Sequence, residues 1–360
     1  KPKQEYQLTA AFHAYVLAAW QGVIPLEARL RLRERHYIID LEKQWPTLLE
    51  LLDKCETVLT ADKTPDVFIS RSRCDMCVWL NHCYEVAQTQ NHLSLLPGVT
   101  LNRYRHLEKL GLTTVETLAR NQPTTLAQAS GFELKVAEKL VHQAQAKMTG
   151  VAIARTDASN SFTLSPQELP SAPIELYFDI EAAPDQDLVY LHGILVVDTQ
   201  TKTETFIPLV AREPESEATA WNQFQHVVAH YPNSPVYHFC PYEAQTVRRL
   251  AERYGSIIDI DELLGRFVDI HKRIVDAVTL PIESYALKHI ARWIGFEWRD
   301  SSANGAQSIC WYDNWLESKD EQYLNDILKY NEDDCRATFW VKRWLANFSA
   351  PLWKDDAEAG

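Results

Sequence analysis

The spacing of apolar positions changes several times along the chain. Residues 7–20, QLTAAFHAYVLAAW, are apolar and Ala-rich as in a helix, and 41–59 repeat an amphipathic helical pattern. Between them LEARLRLRE (26–34) and HYIID (36–40) read as strands, and a turn-rich ADKTPD follows. From 95 to 150 the pattern is helical in short pieces. LLPGVTLNRYRHLEKLGLTTVETLA is followed by a looser ASGFELKVAEKLVHQAQA, each with a Gly turn leading into a helix. Gly98, Gly111 and Gly131 fit tight turns, where a residue without Cβ reaches positive φ without penalty. Residues 155–173 are polar and rich in Ser and Pro, the composition of a linker.

From 174 the pattern is α/β. ELYFDIE, LVYLHGILVV and TETFIPLV predict three consecutive strands in a meander. A helix over 215–230, a strand at SPVYHFC and a helix over 242–254 follow. IESYALKHIARWIGF predicts a helical stretch, and 319–346 a long final helix. The Pro and acidic residues after 350 predict a frayed tail.

Composition narrows the class. At 360 residues, 46% hydrophobic and with 11 Trp, the chain can build two or three domains with substantial cores. No run of about 18 uncharged apolar residues occurs, so no membrane span is expected. The start, KPKQEY, has neither Met nor an apolar signal region, and the chain reads as part of a longer protein. A net charge of −13 disfavours duplex binding over the whole surface. Residues 96–150 are the exception, with seven Lys/Arg against four Asp/Glu. Seven Cys, three of them clustered, favour a reducing cytoplasm and a metal or cluster site over a disulfide framework.

The candidate chemistry lies in spaced carboxylates. Side chains alternate along a strand, so Asp179 and Glu181 in LYFDIE share a face. Tyr330 and Asp334 are i and i+4 on the last helix and therefore neighbours. Glu243 follows the strand ending in HFCPY. Hard oxygen ligands suit Mg²⁺ or Mn²⁺, and two such ions side by side can activate a water and stabilise a leaving 3′ oxygen. Tyr330 could orient that water. Any single Asp or Glu is more often a solvated surface charge; it is the order of the groups that raises the odds. Asp333 rivals Asp334, but i, i+4 spacing from Tyr330 favours Asp334; His238 could contact substrate, although a His closing an apolar strand is more often structural.

In this order of motifs the chain resembles the DEDD superfamily of 3′–5′ exonucleases, of the RNase H-like, DnaQ-like, Tyr-containing subtype. It looks closest to the bacterial YprB-type domain found beside RecB-like nucleases. The resemblance covers about 173–346 and implies an RNase H-like mixed sheet flanked by helices, an α/β class. Asp179 and Glu181 match its first motif, Glu243 the second, Tyr330 and Asp334 the third. All but Tyr330 would be metal ligands, and all five catalytic, for two Mg²⁺ or Mn²⁺ ions. The family usually has Asp at the second motif, and the longer arm of Glu243 shifts that geometry. Ser284 and Lys288, about one helical turn apart, could line a nucleic-acid groove.

Cys74-x2-Cys77-x5-Cys83, flanked by Arg73 and Trp79, suits Zn²⁺ or a [4Fe–4S] cluster, each of which wants a fourth ligand. It resembles the C-terminal triplet of iron–sulfur RecB-like nucleases, whose first Cys comes from far upstream. No Asp…Glu-x-Lys core precedes it, and Gln7 and Tyr15 only loosely match that family's late motif. Residues 1–92 thus read as a partial α/β nuclease-like segment. Cys55 is a fallback ligand but better fits a buried core, and Cys240, Cys310 and Cys335 are expected to be packing thiols.

Residues 93–152 resemble a small all-α module of tandem helix-hairpin-helix units, in which Gly turns offer backbone N–H groups to phosphate. Arg103, Arg105 and Lys109, with Lys135 and Lys139, are its candidate phosphate contacts; a spacer module is the alternative. A linker at 153–172 and the exonuclease domain at 173–348 complete the expected order. The expected substrate is nucleic acid, single-stranded DNA favoured over RNA, with a helicase or an upstream nuclease half as partner and no membrane. A non-catalytic binding module and a structure-specific endonuclease remain alternatives.

Overall fold

The structure, a computed structural model, describes residues 2–31, 36–74, 77–157 and 161–358, without the side chains at 71, 72 and 354–358. The chain forms two compact units, 1–67 and 68–360. In the first, α1 (Gln4–Gln21) ends at Gly22 in the left-handed conformation. A hairpin of β1 (Glu27–Arg31) and β2 (His36–Asp40) leads into α2 (Leu41–Leu59). Asp40 caps α2 by accepting from the Lys43 amide, satisfying an N–H that the helix leaves open. Residues 32–34 of the strand expected over 26–34 lie outside the described residues. The core of this unit is small: Ala11, Ala14, Ile39, Leu41 and Leu48. Cys55, expected in the core, is exposed. The buried positions of α2, Leu41 and Leu48, lie two turns apart on one stripe, and Cys55 falls outside the span that this small core covers.

The second unit opens with α3 (Arg71–Cys74) and α4 (Leu80–Thr89), then four short helices: α5 (Leu101–Lys109), α6 (Val115–Ala119), α7 (Pro123–Ser130) and α8 (Leu134–Thr149). Thr100 and Thr114 cap α5 and α6, and Pro123 opens α7 where its missing N–H costs nothing. Gly111 (φ 74°) and Gly131 (φ 73°) make the turns expected of them. Leu107, Leu118, Leu126 and Leu140 close a core of their own.

The stretch read as a linker is built into the fold. β3 (Ile153–Ala154) pairs with a later strand, and Leu164 and Leu169 are buried in the core of the following domain. Then come β4 (Ile174–Ala183), β5 (Leu188–Asp198), β6 (Thr203–Val210), α9 (Glu217–His230), β7 (Val236–His238), α10 (Tyr242–Tyr254), α11 (Ile260–Gly265), β8 (Phe267–Asp269), α12 (Ile270–Ala277), β9 (Val278–Thr279, the partner of β3), α13 (Leu287–Trp293), α14 (Gly305–Ser318) and α15 (Glu321–Glu358). The central sheet runs β6-β5-β4-β7-β8, antiparallel across the expected meander and parallel from β4 to β8. Phe178 and Ile180 of β4 pack with Trp221 and Phe224 on one face. Tyr177 packs with Ile274, Ile290 and Val341 on the other. Alternation therefore turns Asp179 and Glu181 toward α15.

Two expectations about helices are corrected. The stretch 282–296 is helical only over Leu287–Trp293. Ser284 lies before the helix, where its Oγ accepts from the Ala286 amide, a local bond that competes with helix formation. The tail beyond 350 is not frayed: α15 continues past Pro351 to Glu358, and the Trp353 indole donates to the Leu164 carbonyl at 2.6 Å. Cys310 is exposed rather than packed, because α14 buries Ser308, Tyr312 and Trp315 on a different stripe. Cys335 is buried and Cys240 half-buried. Among the described residues no helix is long and apolar enough to cross a membrane.

Candidate active site

The last turns of β4 and the middle of α15 bring three carboxylates together. One oxygen each of Asp179, Glu181 and Asp334 lies within 4.8 Å of the others. The β4–β5 register slips at a bulge directly after Glu181, and pairing resumes at Ala182–Val189 and Ala183–Leu188. No ion pair reaches any of the three among the described residues, and burial is uncompensated. The Asp179 carboxyl is held well above the usual range, first by burial and then by the charges of Asp334, Glu181 and Glu243. Glu181 is pushed up to about 8 by burial and by Asp334, against hydrogen bonds from Ser308, Asn331 and Tyr190. Asp334 is raised to about 6 by burial, with hydrogen bonds from Trp298 and Tyr330 opposing.

Several neighbours orient this group. The Trp298 indole donates to Asp334 Oδ1 at 2.6 Å, and the Asn331 amide donates to Asp179 Oδ2 at 2.7 Å. Tyr330 is buried; desolvation and then the Asp334 charge raise its pKa, so the phenol stays protonated. Lys288 donates to the Ala303 carbonyl and lies 5.1 Å from the Tyr330 ring centre. Burial lowers its pKa while Asp334 opposes that shift. Lys288 thus stands at the edge of the cluster, and Ser284 is not its helical neighbour.

Glu243 enters from the first turn of α10 and stays outside the tight group. Its Oε2 sits 3.4 Å from His238 Nδ1 and has no hydrogen-bond partner. Burial raises its pKa, and His238 opposes the rise. The approach to α10 is sharply bent: Cys240 has φ 74°, and its amide donates to Asp269. His238 Nδ1 also lies 2.6 Å from the Cys240 carbonyl, which fixes the ring. Asp333 is turned away to Arg299, at 2.8 Å.

The other candidate residues are elsewhere. Cys74 Sγ accepts from the Ser70 amide, Cys77 is exposed, and Cys83 is half-buried. Among the described residues the carboxylate triad is the sole His/Cys/Asp/Glu group whose ligand atoms lie within 4.8 Å of one another, so the three thiols are not gathered as around one Zn²⁺. Asp75 and Met76, between the first two, lie outside the described residues. Arg103 is tied to the Gly98 carbonyl at 2.7 Å, while Arg105, Lys109, Lys135 and Lys139 are exposed on the helical module. Sequence reasoning missed Trp298 and Asn331. Nothing in their spacing marks them; a lone Gly in the apolar run LVYLHGILVV was the only sign of a close approach at that point.

Fold and site together define an α/β domain with acidic side chains laid across the central strand and the last helix of a mixed sheet. Residues 176–346 match the model of a protein family described as the RNase_H superfamily. This part of the chain is similar to RNase H-like domains, a class that is usually a metal-dependent nuclease or nucleotidyl transferase acting on nucleic acid. No curated protein and no solved structure matches the chain.

Proposed function

We propose that the domain at 173–348 is a two-metal-ion 3′–5′ exonuclease acting on single-stranded nucleic acid, DNA in preference to RNA. The observation that carries this reading is the uncompensated triad of Asp179, Glu181 and Asp334 beside a protonated Tyr330. Two buried carboxylates and a half-buried one, with no ion pair among the described residues, fit Mg²⁺ or Mn²⁺, since a divalent ion would relieve the repulsion that raises their pKa values. When bound, such ions activate a water and neutralise charge on the phosphate. Asp179, Glu181 and Asp334 would hold them, and Glu243 of α10, resting on His238, would stand beside them as an outer contributor. The Tyr330 hydroxyl donates a hydrogen bond to Asp334, and its oxygen would orient the attacking water. Lys288, at the rim, attracts the phosphate.

The same reading makes 93–152 a helix-hairpin-helix grip in which Arg105, Lys109, Lys135 and Lys139 meet phosphates. Residues 1–92 would be the end of a RecB-like nuclease segment, with a helicase or an upstream nuclease half as partner in DNA repair. Zn²⁺ or a [4Fe–4S] cluster at Cys74, Cys77 and Cys83 would require the thiols to converge and a fourth ligand to join them. A second reading, a nucleic-acid binder with little turnover, draws on Glu243, whose carboxylate rests on His238 outside the triad.

Digestion of 5′- and 3′-labelled single strands of DNA and RNA with Mn²⁺ or Mg²⁺ separates these readings. A ladder growing from the 3′ end, absent with Asp179→Ala, is expected. Cleavage of circular strands would make the enzyme an endonuclease, and binding without cleavage would favour the second reading.

A further inference from the structure

We infer that Asn331 is a positioning residue for the carboxylate triad, and that Gly193 is the residue that gives it room; this rests on reading the triad as a metal site. Asn331 lies on α15 between Tyr330 and Asp334 and is fully buried. Its Nδ2 donates to Asp179 Oδ2 at 2.7 Å, and its side chain also hydrogen-bonds Glu181. One neutral amide therefore ties together the two carboxylates of β4.

The other end of that amide has an unusual environment. Asn331 Oδ1 is buried with no hydrogen-bond partner. It lies over Gly193 of β5, the residue paired with Asp179 across the β4–β5 register. A Cβ at Gly193 would stand 1.6 Å from Asn331 Oδ1 and 2.8 Å from its Cγ. The amide occupies the space that any other residue at 193 would fill. An apolar residue at 331 would avoid the unpaired oxygen, so packing alone does not account for an Asn there.

The chemistry of the triad does account for it. Lys or Arg at 331 would fix Asp179 but cancel the charge that draws a cation. An amide orients the carboxylate and leaves its charge intact, as neighbouring hydrogen bonds do for ligands in metal sites generally.

The test is Mn²⁺ binding followed by the electron paramagnetic resonance signal of free Mn²⁺, on the full chain without substrate. Asn331→Ala is expected to bind Mn²⁺ about 10–100-fold more weakly than the parent. Gly193→Ala should weaken it by a similar factor, because its methyl displaces the amide. Added to Asn331→Ala, the Gly193→Ala change should weaken binding no further, since no amide is left to displace. Melting of the metal-free variants separates binding from folding. If Gly193→Ala fails to fold, Asn331→Ala alone decides. Parent-like Mn²⁺ affinity in Asn331→Ala, with or without a lower melting temperature, overturns the positioning role and leaves the metal site standing. A parent chain that binds no Mn²⁺ removes both.

Discussion

The same strand and the same helix hold buried carboxylates at two places, and the two are handled oppositely. At the start of β4, Glu175 accepts from Lys342 of α15 at 2.6 Å and from the Tyr177 hydroxyl at 2.6 Å, with Ser171 adding a third bond. The pair is buried but balanced, and Lys342 lies 4.9 Å from the Tyr237 ring centre. At the end of β4, Asp179 and Glu181 meet Asp334 of the same helix with no ion pair among the described residues. One end is a satisfied polar link between sheet and helix. The other gathers three acidic groups with no cation paired to them among the described residues, the environment that a divalent ion would complete.

The largest way to break this contrast is Asp179→Asn. It removes a ligand and a repelling charge with almost no change of shape. Turnover should fall on the order of 10³-fold or more, the loss of several kcal/mol of transition-state stabilisation. The melting temperature of the metal-free protein should hold or rise. Unchanged cleavage of labelled strands would end the assignment of this site.

Lys342→Met attacks the balanced end. Leaving Glu175 buried and unpaired should cost about 3–5 kcal/mol of stability. Turnover per folded molecule should stay near that of the parent. Chemical denaturation with a matched activity assay reads both, and a near-neutral substitution would show that the link contributes little.

Proton binding sharpens the comparison further. The folded-state pKa of Glu181 is raised from 4.5 to about 8, and that of Asp334 from 3.8 to about 6. The native state thus holds protons that the unfolded chain releases. The stability this contributes is complete below pH 4 and is lost as pH climbs toward 8. Metal-free melting temperatures should decline over that window more than those of Asp179→Asn. Added Mn²⁺ should stabilise most at its alkaline end, where the ligands are ionised. A parent and variant with parallel pH profiles would contradict this.

Glu243→Gln should have the smallest effect. A residue resting on His238 outside the triad should cost turnover roughly tenfold when neutralised, rather than a thousandfold. A loss equal to that of Asp179→Asn would mean that Glu243 moves in to ligate when the site is loaded.

Much of this was legible before any fold was known. Alternation in ELYFDIE put Asp179 and Glu181 on one face, and i, i+4 spacing put Tyr330 beside Asp334, because both follow from backbone periods that local sequence controls. The meander, α2 and the turns at Gly111 and Gly131 were equally local. Ser284 was misplaced because a side-chain bond to the backbone outweighed helical patterning, and the tail past Pro351 because Trp353 found a distant carbonyl to bond. The cysteine spacing suggests a ligand set, but spacing along the chain does not by itself bring three thiols within reach of one Zn²⁺.

Sequence by itself determined which acidic side chains could share a face and which segments were strands or helices, since periodicity is a property of neighbours along the chain. Tertiary structure alone decided that Asp179 and Glu181 of β4 meet Asp334 of α15. It also decided that Gly193 leaves room for Asn331 and that Lys342 neutralises one end of a strand whose other end has no cation paired to it among the described residues. These depend on which elements pack against which, through contacts between residues more than a hundred positions apart, and no local pattern encodes them.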